Sequence, residues 1–164
     1  MVTLSHAMEE RHAEIALERA HLTADRRLAH LQMLAGVKRG AYLLRGPSIV
    51  PSVELVASGS EVSLLFEAAA LLEKEGIGAR IVSVPSFELF REQDKAYRDS
   101  VFIPELPKVA VEAGRGIGWR DLIGGDVEVV GLDTFGKSAP APAAYEALGI
   151  TAKKIAETAR RMVK

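Results

Sequence analysis

The chain has 164 residues with no cysteine, and 21 Lys and Arg stand against 22 Asp and Glu, a formal net charge of -1. Balanced charge gives no electrostatic reason to bind nucleic acid or an anionic membrane, and the missing cysteines exclude disulfides, thiolate metal sites and a cysteine nucleophile. An apolar content of 48% is enough to bury a real core, yet no apolar run approaches the roughly 20 residues of a membrane span. The N-terminus carries Glu9 and Glu10 where a signal peptide needs a long apolar run, so the expectation is a soluble, cytoplasmic protein.

Residues 1–35 lack Gly and Pro and are rich in Ala, Leu, Glu, Arg and His. Ile15, Leu17, Ala20 and Leu22 support one helix, and Leu28, Leu31 and Leu34 a second, with Thr23 as its N-cap. His6, His12, His21 and His30 lack the i, i+4 pairing on one face that a zinc-binding helix shows, so no metal site is expected. The first 36 residues are therefore expected to form a helical arm, and residues 37–164 a separate domain.

From Gly40 onward, strands alternate with helices. Ala41 to Leu44 is a short strand candidate, broken by Gly46-Pro47. Val53 to Ala57 is a buried strand, followed by a helix over Glu61 to Glu75 whose apolar residues Val62, Leu65, Phe66, Ala69 and Leu72 recur at three and four. Gly76 and Gly78 end it. Ala79 to Val84 is the next strand, stopped by Pro85; Ser86 caps a short helix through Phe87, Leu89 and Phe90. Pro107 to Val111 and Val127 to Val130 are two further strands, and a last helix runs from a Thr151 cap through Ile155, Ala159 and Met162. Apolar strands separated by helices predict a parallel sheet covered on both faces.

Two turns after strands are candidate sites. Ser58-Gly59-Ser60 leads straight into a helix, where free N–H groups favour an anion, but Glu61 in the first turn already complements the helix dipole and repels one. The stretch lacks both a dinucleotide fingerprint and a P-loop ending, and an ordinary tight turn explains it equally. Glu112-Ala-Gly-Arg-Gly-Ile-Gly-Trp119 holds the only Trp, which is either an interface anchor or a core residue opening a helix from Trp119 to Ile123. Glu112 lies where open α/β sheets place ligands, at the carboxyl end of a strand, without a visible partner base. Phe135 is the other aromatic candidate for a partner-facing surface.

Taken together, Val53 to Val62, Ile81 to Tyr97, Val109 to Gly114 and Gly131-Leu-Asp-Thr-Phe-Gly-Lys-Ser-Ala-Pro140 follow in the order and spacing of the C-terminal domain of transketolase. Val37 to Tyr42 resembles the join into that domain. Pro85-Ser-Phe-Glu-Leu-Phe90 with Gln93 and Tyr97 is similar to transketolase rather than to the related oxo-acid dehydrogenases and deoxyxylulose-phosphate synthase.

The resemblance covers about residues 37–164 and implies a three-layer αβα fold. Its mostly parallel five-stranded sheet has one antiparallel strand, expected at Tyr42 to Leu44. It also implies membership of a dimeric enzyme of the pentose phosphate pathway that moves a two-carbon ketol unit between sugar phosphates with thiamine diphosphate and Mg²⁺. The catalytic and cofactor residues of that family belong to its other domains, so none is carried over to this chain. The implied role is structural: packing on the cofactor-binding domains and helping to hold an oligomer. The alternative is a stand-alone module binding a small anionic metabolite at Ser58 to Ser60 or near Gly114 to Gly118.

Overall fold

Five strands, β1 (Tyr42–Arg45), β2 (Pro51–Ala57), β3 (Gly78–Ser83), β4 (Lys108–Val111) and β5 (Val127–Val130), make a single sheet in the order β1-β3-β2-β4-β5. This computed structural model describes residues 35–163. The expected arm helices, the Thr23 cap and the four histidines lie outside the described residues. From Gly36 onward the chain forms one unit.

Strands β2 to β5 run parallel, and β1 lies antiparallel to β3 at the edge, with Tyr42 opposite Ser83. The central strands are buried throughout β3 and β4 because helices cover both faces, which is why they read as near-continuous apolar runs. Edge strand β1 is only partly buried, as its mixed sequence Tyr-Leu-Leu-Arg suggests.

Helices α1 (Val62–Glu73), α5 (Ala141–Leu148) and α6 (Ala152–Met162) belong to one face; α2 (Phe87–Arg91), α3 (Lys95–Val101) and α4 (Trp119–Ile123) belong to the other. On the first face Val53, Leu55, Ile81, Val109 and Val111 meet Leu65, Ala69 and Leu72 of α1 and Ile155 and Ala159 of α6. On the second, Val56, Val82, Val84 and Ala110 meet Phe90, Phe102 and Trp119. The rings of Phe90 and Phe102 pack edge to face at 5.2 Å, a geometry favoured by the ring quadrupoles.

Local signals place the helix ends. Ser86 accepts the Leu89 N–H and Thr151 the Lys154 N–H, as expected; Asp94 caps α3 by accepting from Tyr97 N at 2.7 Å. Helix α1 starts and ends inside the predicted span, and Phe66, expected on its buried face, is 39% exposed, while Ala68 takes the core position instead. Gly78 is not a helix cap but the first residue of β3. A Cβ there would come within 2.2 Å of the Val50 carbonyl oxygen, so the strand demands Gly for a close backbone approach. Helices α3 and α5 have no counterpart among the predicted elements.

Candidate functional site

The carboxyl ends of the parallel strands carry the loops in which open α/β sheets place ligands. The first is Ser58-Gly59-Ser60. Gly59 has φ of 55° and opens a single 3₁₀ turn, Gly59–Glu61, that runs directly into α1. Ser58 makes no side-chain cap. Ser60 Oγ donates to Glu61 Oε1 at 3.1 Å, and the Tyr145 hydroxyl, from α5, donates to the same oxygen. Glu61 is buried, and its other carboxylate oxygen lies 3.9 Å from where a Cβ on Gly59 would stand. The hydrogen bond to Glu61, more than burial, raises the pKa of the Tyr145 phenol. The turn thus holds an anion of its own making, and a bound phosphate would face that carboxylate.

The second candidate region joins Glu112 to Trp119. Trp119 is 1% exposed, packed edge-on against Phe87 with centroids 4.6 Å apart, and its Nε1 donates to Glu112 Oε2 at 3.1 Å. The expectation of an accessible Trp anchor is therefore corrected: the indole fills the core beside Phe87. The aromatic body is buried and its one polar atom is satisfied, the usual condition for an inward-facing Trp. Glu112, half-buried, is engaged by that indole.

Phe135 behaves differently. It is 97% exposed, and every residue of 133–143 is exposed around it. On the neighbouring loop Ile117 is 80% exposed. The two loops are tied together by Leu132 N–H donating to Gly114 O at 2.9 Å, and a cleft of about 370 Å³ between them is lined by Arg115, Ile117, Arg120 and Asp133. Gly116 makes this approach possible, since a Cβ there would lie 2.4 Å from the Val129 side chain.

A charged cluster that the motif reading missed lies at the opposite end of the sheet. Glu54 stands in register with Arg80 on β3 and Lys108 on β4. All three are buried. Glu54 Oε1 accepts from Arg80 and from the Ile103 N–H, whereas Oε2 has no hydrogen-bond partner and lies 3.8 Å from Lys108 Nζ. Burial pushes the Glu54 carboxyl up despite the Ile103 N–H and the two cations, and it pushes the Lys108 ammonium down. Lys108 also donates to the carbonyls of Ile103 and Leu106, fixing the loop that enters β4. The available signal was one charged residue near the start of each of three apolar strands. The cluster ties strands and loop together, and Lys108 forms part of the wall of a cleft of about 400 Å³ between α3 and α4.

Transketolases share this architecture. Residues 40–151 match the transketolase-like TK C-terminal domain. The chromosomal transketolase of Cupriavidus necator is 48% identical over 126 residues, covering 77% of this chain and 19% of that protein. The crystal structure of transketolase from Leishmania mexicana superimposes with a TM-score of 0.71 at 39% identity, over 79% of this chain and 18% of that one. A structure described as a split-gene transketolase, inactive β4 tetramer, shares the fold with a TM-score of 0.63 at 23% identity, over 77% of this chain and 43% of that one. The chain spans about a fifth of the length of the curated relatives it matches. From the antiparallel edge strand to the cap of the last helix, it belongs to the transketolase-like C-terminal domain family.

Proposed function

We propose that the chain is the structural and assembly domain of a transketolase, packing on cofactor-binding domains that carry the chemistry and contributing to a dimer or higher homo-oligomer. In this reading residues 37–164 are the assembly domain and residues 1–36 a helical arm or remnant of the preceding domain junction. The complete enzyme would transfer a ketol unit between sugar phosphates in the cytoplasmic pentose phosphate pathway. The observation that carries the reading is the family match over residues 40–151, beside a glycine turn whose Glu61 carboxylate is bonded by Ser60 and Tyr145.

Thiamine diphosphate and Mg²⁺, implied for the complete enzyme, do not fit the residues here. Among the described residues no group of three or more His, Cys, Asp or Glu is placed to hold a metal ion. Beside the Ser58 to Ser60 turn, the Glu61 carboxylate bonded by Ser60 and Tyr145 would repel a diphosphate.

The test is ketol transfer from xylulose 5-phosphate to ribose 5-phosphate, with thiamine diphosphate and Mg²⁺, by the chain alone and mixed with separately made cofactor-binding domains of a related transketolase. Activity in the mixture alone is the expected result. Activity of the chain by itself, or none in the mixture although the partner domains are folded, overturns the reading.

A further inference from the structure

The central strands hold a buried charge that the fold answers only in part. Glu54 on β2 is 0% exposed, and Arg80 on β3 and the Ile103 N–H both donate to its Oε1. Oε2 has no hydrogen-bond partner, and Lys108 Nζ on β4 stands 3.8 Å away. A buried carboxylate oxygen without a donor is costly, so any state that hydrates it gains.

Strands β3 and β4 flank Glu54 in register and are held by sheet pairing. The segment 102–107 that meets the carboxylate between α3 and β4 is neither helix nor strand. It is tied to the charged cluster by the Ile103 N–H on Glu54 and by the Ile103 and Leu106 carbonyls, which accept from Lys108 Nζ. Just before it, the Ser100 carbonyl accepts from Arg80 at 3.2 Å. Phe102, packed on Phe90, anchors one end of the segment, and the Pro107 carbonyl, accepting from Glu54 N at 3.0 Å, anchors the other. The stretch between these anchors is the part that can move without breaking the sheet.

We propose that residues 103–106 are a proton-sensitive lid, shut over Glu54 while its carboxyl is neutral and lifting to hydrate the same group once it is ionised. Phe102, Pro104 and Lys108 line the cleft of about 400 Å³ between α3 and α4, so the lid makes the shape of that cleft depend on acidity. This device belongs to the chain itself and goes beyond the assembly reading, on which it does not depend.

The charges around the site set the sign. Arg80, Lys108 and the Ile103 N–H favour the carboxylate, yet burial outweighs them and holds the Glu54 carboxyl above its ordinary 4.5. Lifting the lid restores water and returns the group toward 4.5. Below 4.5 the carboxyl is protonated in both states, and the lid is indifferent to pH. Between 4.5 and the shut-state value only the lifted state is ionised, so opening gains up to about tenfold per pH unit. Above that value both states are ionised and the dependence ends. Lys108 acts in the opposite direction. Burial lowers its pKa, against the pull of Glu54, Glu105 on the lid and Asp126 ahead of β5, so its titration favours the shut lid as pH rises. The direction of the change therefore distinguishes the two groups.

Amide hydrogen exchange of the full chain from about pH 4 to about pH 8, expressed as protection relative to each amide's intrinsic rate, tests the lid. Ile103 is expected to be less protected than Leu55 and Val56 in β2, because it opens without global unfolding. Its protection is expected to fall with rising pH, by up to about tenfold per unit, and to level off where the Glu54 carboxyl, followed by its carbon-13 shift, titrates. In Glu54→Gln, neutral throughout, Ile103 protection should be flat. The double variant Glu105→Gln with Asp126→Asn, at two exposed positions, should keep the fall, assigning it to the buried carboxyl. If Glu54→Gln does not fold, the parent's exchange and carboxyl titration, with the double variant, decide the matter. Ile103 protection in the parent that is independent of pH, rises with pH or equals that of Leu55 and Val56 throughout overturns the lid. So does a fall that persists in folded Glu54→Gln or disappears in the double variant. None of these outcomes touches the assembly reading, which the ketol-transfer mixture tests separately.

Discussion

Tyr145 donates its hydroxyl to Glu61 across 84 positions of sequence, closing α5 over the turn that opens α1. One phenol and one carboxylate thereby decide what that turn is for. Ser60 joins them, its hydroxyl within hydrogen-bond reach of both the Glu61 carboxylate and the Tyr145 hydroxyl. Replacing Tyr145 with Phe removes a hydrogen bond to a charged, buried acceptor and is expected to cost about 1.5–3 kcal/mol in urea unfolding. A cost near zero would mean that the contact does not hold α5 in place.

The same relationship predicts ligand behaviour. Inorganic phosphate is expected to leave amide exchange at Gly59, Ser60 and Glu61 unchanged in the parent chain, because Glu61 repels it. In a Glu61→Gln variant the repulsion is gone, and weak protection of these amides should emerge. Protection already present in the parent would show that the turn accepts anions despite Glu61, favouring the metabolite-binding alternative.

Glu54 gives a pH prediction. Its carboxyl is pushed above the ordinary value of 4.5 by burial, so within the window between 4.5 and its higher folded value the native state binds more protons than the unfolded chain. The stability this group contributes through titration is fully present below 4.5 and is lost as pH rises through the folded value. Glu54→Gln keeps a neutral side chain at every pH and so removes this pH dependence. The gap between parent and variant should widen as pH falls through the window; a gap independent of pH would contradict the raised value.

Trp119 offers an optical check. Buried against Phe87 and bonded to Glu112, it should emit at short wavelength and resist acrylamide in the isolated chain, with quenching rising only on denaturation. Trp119→Ala is expected to cost about 3–5 kcal/mol. A readily quenched indole in the folded chain would restore the exposed-anchor reading that the structure corrects.

Gly40 tests the entry to the sheet. Its φ is 85°, and a Cβ there would stand 2.4 Å from both Phe90 N and Ser86 O. Gly40→Ala therefore meets backbone on one side and an unfavourable conformation on the other. A loss of about 1–3 kcal/mol is the least expected, measured by thermal or urea unfolding. A neutral effect would show that the Val37 to Ala41 segment is free to move away from α2.

The five strands and the caps at Ser86 and Thr151 were legible because each rests on local chemistry, whereas the antiparallel placement of Tyr42 to Leu44 came from the family resemblance. An apolar run buried on both faces, a serine or threonine ahead of helical spacing and a proline stop all act within a few residues. The order and register of four motifs carried the family, since a domain of this type keeps them in sequence.

The state of each candidate site was decided by contacts between distant positions. The Glu61 objection to an anion at Ser58 to Ser60 was legible in the sequence, but the Tyr145 bond to Glu61 was not, since no spacing rule links residues so far apart. Trp119 and Phe135 look alike as isolated aromatics; only packing on Phe87 and Glu112 sends one inward and leaves the other 97% in water. Glu54, Arg80 and Lys108 are single charges in three separate strands until strand register sets them side by side. Local propensity and periodicity fixed the strands and most helices, though not α3 and α5, while burial and charge compensation, which depend on what lies across the sheet, fixed their roles.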